Sequence, residues 1–116
     1  MKRIYHDTDA LKSLIPDSCW VCQADENGDF LYENIDWQDD RDMPIRDVVV
    51  AEKDRLNAAE PLRYLREVRD ELIAETDWWA SADRTMTAEQ LAYRQALRDL
   101  PANTTDPANP VWPTKP

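Results

Sequence analysis

Two apolar stripes at helical spacing, each bounded by punctuation, decide most of what the second half of this chain can become. Leu62, Leu65, Val68 and Leu72, with Ile73 beside them, recur at steps of three and four and describe one helix face. Arg63, Arg66, Glu67 and Asp70 pair at helical spacing on its other sides. A second helix opens cleanly, because Thr87 and Gln90 have the spacing of a capping box. It continues through Leu91, Tyr93, Ala96, Leu97 and Leu100, and Pro101 is expected to end it. Between the two, Thr76 to Asp83 loses the period and reads as a connector. So short a link most simply folds the helices, over 62–75 and 88–100, back as an antiparallel pair, with the first stripe facing the second. Beyond Leu100 lie five of the eight prolines, so 101–116 is expected to be an extended, polyproline-like arm.

The first part of the chain has a different grammar. The single glycine, Gly28, follows Asn27, and this dipeptide is the strongest short-range cue for a hairpin. It separates Cys19–Ala24 from Phe30–Ile35, both rich in apolar and aromatic residues, which predicts a two-stranded hairpin. Such a hairpin is marginal alone and must pack on a neighbour. Ahead of it, Asp7 or Thr8 is suited to cap a short helix through Leu11, Leu14 and Ile15, stopped by Pro16. Ile45 and Val48 to Val50 fit either a third strand or a helix start. Ala51 to Glu60 favours helix, with a kink or break expected at Pro61. The predicted fold is α+β, in three parts. An acidic α/β region with the hairpin spans 1–47 and packs on a helical region, 48–100, that contains the antiparallel pair; the Pro-rich arm, 101–116, completes the chain.

Charge and composition narrow the function. The net charge is −10, and residues 1–47 carry twelve acids against five bases, so the front of the chain holds −7 of it. Phosphate neutralisation needs Lys and Arg, which argues against nucleic acid and anionic membrane as partners. No apolar run approaches the length of a membrane span, and no signal peptide is visible, so the chain is expected to be made and used in a cytoplasm, or built into a particle there. Cys19-Trp20-Val21-Cys22 is a lone cysteine pair with one histidine, His6, elsewhere, too few ligands for a zinc site without carboxylates. The two cysteines read as buried, inert thiols. No nucleophile–base pair, metal cluster or phosphate loop is present, so neither catalysis nor a cofactor is expected.

What the sequence does concentrate is indole and guanidinium. Three of the five tryptophans lie in the last third, at Trp78, Trp79 and Trp112, with Tyr93, Arg94 and Arg98 nearby. These side chains bury much area at modest entropic cost and dominate protein-binding surfaces. Trp78 and Trp79 are adjacent, so one should plug the open end of the helix pair and leave the other free. Asp77 sits where a helix C-terminus disfavours negative charge; Arg94 and Arg98 lie four apart on one helical face, and a folded-back pair would bring one of them to Asp77 as a charge-assisted fork. Trp112, between Pro110 and Pro113, is an anchor for a pocket in this subunit or another.

The blocks Leu65-Arg66-Glu67-Val68-Arg69-Asp70-Glu71-Leu72, Ala74-Glu75-Thr76-Asp77-Trp78-Trp79-Ala80, Asp83-Arg84-Thr85-Met86-Thr87, Tyr93-Arg94-Gln95-Ala96-Leu97-Arg98-Asp99-Leu100-Pro101 and Val111-Trp112-Pro113-Thr114-Lys115-Pro116 resemble the phage tail assembly chaperone family. The resemblance runs from near Leu62 to the end. It implies a protein of the host cytoplasm during assembly, or of the virion tail if it stays on the particle. Its partner would be a phage tail fibre or tail protein, with homo-oligomers allowed. Partner-binding residues would be Trp78, Trp79, Tyr93, Arg94, Arg98 and Trp112, with structural roles for Thr76, Asp77, Thr87, Leu97 and Pro113. Residues 1–47 would select the partner. Two other roles remain open: a permanent structural subunit of the tail or fibre, and an acidic mimic of nucleic acid that occupies a host protein.

Overall fold

The structure, a computed structural model, describes residues 1–116 and is α+β, with one two-stranded antiparallel sheet and three α-helices. In chain order these are α1 (Asp7–Leu14), β1 (Trp20–Cys22), β2 (Ile35–Trp37), α2 (Arg46–Glu75) and α3 (Ala88–Asn103). The chain forms two compact units, Arg3–Glu60 and, separately, Met1–Lys2 with Pro61–Pro116. No helix is long and apolar enough to cross a membrane.

In the unit Arg3–Glu60, Ala10 and Leu11 of α1 meet Val49 of α2, and Trp20, Tyr32, Ile35 and Trp37 close over them. Period-two alternation puts Trp20 and Cys22 of β1 on the same face as Trp37 and Ile35 of β2, opposite them in register. The hairpin differs from expectation in its second strand. Asn27-Gly28 does form a turn: Gly28 has φ 83°, and the Asp25 carboxylate accepts the amides of Asn27 and Asp29 at 2.9 and 2.8 Å. Pairing, however, begins only at Ile35, because Tyr32 is held in a short 3-10 turn, Tyr32–Asn34. Its amide donates to Asp7 Oδ2 (2.9 Å) and its hydroxyl to the Pro44 carbonyl (2.8 Å), which takes 30–34 out of the ladder.

Helix α1 is capped one residue earlier than expected. His6 is the N-cap, and its amide donates to the Asp9 carboxylate at 2.8 Å. That leaves Asp7 free to turn inward. Asp7 is buried, with the Lys53 ammonium 3.0 Å from Oδ1. Burial alone would raise this carboxyl; the Tyr32 amide and Lys53 together hold it below its ordinary value. The segment before α1 is tied to α2 through Asn57, whose Oδ1 accepts the Tyr5 amide (3.0 Å), and through Glu60, whose Oε1 accepts the Arg3 amide (2.6 Å).

Residues 46–50 are helix, which resolves the strand-or-helix ambiguity at Ile45 and Val48 to Val50. Pro61 neither breaks nor ends α2. Its missing amide costs about 3 kcal/mol in a helix interior. Burial of Val49 ahead of it and of Leu65 after it outweighs that. Pro101 likewise lies inside α3, which extends to Asn103. A proline this near the C-terminus disrupts little, and the Thr104 hydroxyl takes up the Leu100 carbonyl at 2.6 Å. The cysteines are free thiols, and neither is buried as expected: Cys19 is exposed and Cys22 half-buried.

Asp7→Asn should lower stability by about 2 kcal/mol, read from urea unfolding followed by indole fluorescence. The folded chain holds this carboxyl lower than the unfolded chain does, so its contribution is complete above about pH 4. It drains away as pH falls through the folded-state value, and the unfolding midpoints of the two proteins should converge in acid.

Candidate protein-binding site

The C-terminal unit is organised around the last turn of α2. The stripe ends at Leu72 and Ile73, and the chain then turns through a 3-10 segment, Asp77–Ala80. Thr76 is fully buried at this corner, and its hydroxyl donates to the Ile73 carbonyl at 2.9 Å. On α3, the Thr87–Gln90 capping box is present in both directions, at 3.1 and 2.9 Å. It fixes the helix start, and helical spacing then puts Tyr93, Arg94 and Leu97 on the inner face. Leu91, expected on that face, is 52% exposed, and Ala96 is also outside.

Arg94 joins the two helices. Its side chain is buried, and one guanidinium nitrogen donates both to Thr76 Oγ1 (2.7 Å) and to the Ile73 carbonyl (3.2 Å). The other reaches Asp77 Oδ1 at 3.2 Å, so the ion pair expected from spacing is present, as a single contact rather than a fork. Because Asp77 is 66% exposed, the ion pair contributes little by itself. The larger effect is local: the cation adds to the donors that Thr76 already gives the Ile73 carbonyl and complements the dipole at the end of α2.

The tryptophans separate as adjacency requires. Trp79 is only 4% exposed and forms a core with Tyr93 and Leu97, onto which Leu72, Ile73, Met86 and Trp112 pack. Its ring centroid lies 6.1 Å from that of Tyr93. Burial, and then the nearby charge of Glu75, push the Tyr93 phenol above its ordinary value. Trp78 is 54% exposed, edge-on to Trp79, and carries the Arg84 guanidinium 4.4 Å above its ring. Arg98 is exposed. Of the six candidate binding residues, the fold thus places Trp79, Tyr93 and Arg94 inside the unit and Trp78 and Arg98 outside.

Trp112 is half-buried against the Trp79 core, so the indole of the arm is seated within its own chain. The arm passes over the other end of the stripe as well. Pro107, Pro110 and Trp112 line a groove of about 230 Å³ with Pro61, Tyr64 and Val68. Lys115 follows, 3.9 Å from Glu75 and 5.9 Å from the Trp79 ring centre. The end of the Leu62–Ile73 stripe thus packs on the Trp79 core, and residues nearer its start face the C-terminal segment across this groove. Within this segment, Asp106 caps a turn through the Ala108 amide and the Asn109 side chain. Arg84 and Lys115 were not legible as contributors, because both act from irregular segments where spacing does not fix direction.

Together these features define a small α+β protein whose C-terminal half is a helix pair locked by a buried arginine, with one indole held inside and one outside. Residues 62–116, a little under half of the chain, match the model of a family described as phage tail assembly chaperone protein, and this supports a role in phage tail assembly. No curated protein and no solved structure matches the chain.

Arg94→Lys keeps the charge but cannot reach Thr76, Ile73 and Asp77 together. It should cost about 2 kcal/mol in thermal unfolding, and Arg94→Met more. Trp112→Ala should cost roughly as much by opening the Trp79 core, visible as a red shift in tryptophan emission.

Proposed function

We propose that the protein binds a phage tail-fibre or tail subunit non-covalently and assists its folding or assembly, with no chemistry of its own. The single observation that carries this reading is the family match over residues 62–116, the segment that builds the arginine-locked helix pair. A fibre subunit exposes apolar surface and unpaired strand edges before it assembles, which invites aggregation. An acidic partner that covers such surface keeps the complex soluble. The contact surface we assign is centred on Trp78, with Arg84 stacked on it, and includes Arg98. Trp79, Tyr93 and Arg94 support it from beneath by fixing the 3-10 turn that presents Trp78. The host cytoplasm is where this binding takes place.

Co-expression with the tail subunits of the same phage tests the reading, scored by which subunit becomes soluble and co-purifies. Trp78→Ala should leave the thermal midpoint nearly unchanged and weaken capture about tenfold or more. Equal capture by the variant would remove Trp78 from the interface. If no tail subunit is solubilised, the assembly role fails. Recovery in fixed stoichiometry from purified particles would mark a resident tail subunit instead.

A further inference from the structure

A sheet of two strands leaves backbone groups to account for. Gln38 donates its amide to the Cys19 carbonyl at 2.9 Å, so Cys19 faces Gln38 as a hydrogen-bonded position, and Val21 faces Asp36 as the next. Alternation along an antiparallel ladder then turns the amides and carbonyls of Trp20 and Cys22 away from β2, along the outer margin of β1. On β2 the corresponding amide of Ile35 is taken by the Tyr32 carbonyl. On β1 no backbone or side-chain acceptor takes the amides of Trp20 and Cys22.

Beside this margin lies a groove of about 240 Å³. It is lined by Asp9 and Lys12 of α1, by Trp20 and Cys22 of β1, and by His6 and Phe30. It offers aromatic surface beside charge of both signs, with the Asp9 carboxylate held by the His6 amide, the Lys12 ammonium 5.8 Å from the Trp20 ring centre and Asp29 3.7 Å from His6. An unpaired strand margin next to a helix-walled groove has the parts needed for strand addition: main-chain groups for affinity and alternate side-chain pockets for selectivity.

We propose that the outer margin of β1 docks an extended segment of a partner polypeptide as a third strand, and that this segment alternates Lys or Arg with apolar side chains. The apolar positions pack toward Trp20 and Phe30. The basic ones answer the −7 charge of residues 1–47, which also opposes pairing with a second copy of this chain. This deepens the proposed binding function by giving the N-terminal unit a partner chemistry. It lies outside the matched segment 62–116, so either can fail without the other.

The test pans a random heptapeptide library against the immobilised full-length protein. Enrichment of alternating basic and apolar sequences is expected; no enrichment, or enrichment of acidic or proline-rich sequences, overturns the proposal. The enriched peptide is then made in two N-methylated forms, blocking odd or even amides. Only one form should lose affinity, by about tenfold or more. Equal binding by both excludes strand addition. Hydrogen exchange should slow at Trp20 and Cys22 on binding, and slowing confined to other residues also overturns it. Cys22→Pro removes an outward amide without touching the β1–β2 ladder and should abolish peptide binding. Should that variant unfold, the methylated peptides decide alone. Tail-subunit capture is measured in parallel: capture without any peptide binding leaves the proposed function standing and ends this inference.

Discussion

The carbonyl end of α2 is the constraint on which the C-terminal unit depends. A helix that stops inside a fold leaves acceptors without donors, and water cannot reach them where Thr76 is fully buried. Here the Thr76 amide and hydroxyl donate to the Ile73 carbonyl, and Arg94 adds a donor from the neighbouring helix, its one planar group also reaching the Thr76 hydroxyl and the Asp77 carboxylate. Because those partners lie at one corner, the guanidinium sets where α3 lies against the end of α2. The Trp79 core then fills the angle between them.

The same lock explains why two adjacent indoles have opposite fates. A 3-10 turn tied down at Thr76 gives Asp77–Ala80 a single path, and along it Trp79 points inward and Trp78 outward. Under the proposed binding role, side chains held on a rigid corner lose little freedom when a partner arrives. The buried Trp79 and Arg94 shape this corner, and the exposed Trp78 stands on it.

Legibility in the sequence followed the strength of local rules. The Thr87–Gln90 box and the Leu62–Ile73 stripe use short-range geometry, and both helices appear where they point. Arg94 with Asp77 could be paired because two helices and a short link leave few arrangements. Tyr32 escaped, since its contacts with Asp7 and Pro44 are long-range and overrode the strand propensity of Phe30 to Ile35. The break expected as one alternative at Pro61 does not occur, because propensity prices a proline without knowing that Val49 and Leu65 on either side are buried. Arg84 lies in a connector without periodicity, so nothing marked it as the cation over Trp78.

The seat of Trp112 has a consequence for how the chain is made. The Trp79 core is incomplete until an indole more than thirty residues downstream arrives, so this half cannot reach its final packing while the ribosome is still upstream of that codon. The unit Arg3–Glu60 needs nothing from that stretch for its own core and is free to consolidate first. Synthesis thus delivers the two halves in sequence, with the tryptophan-rich surface maturing last.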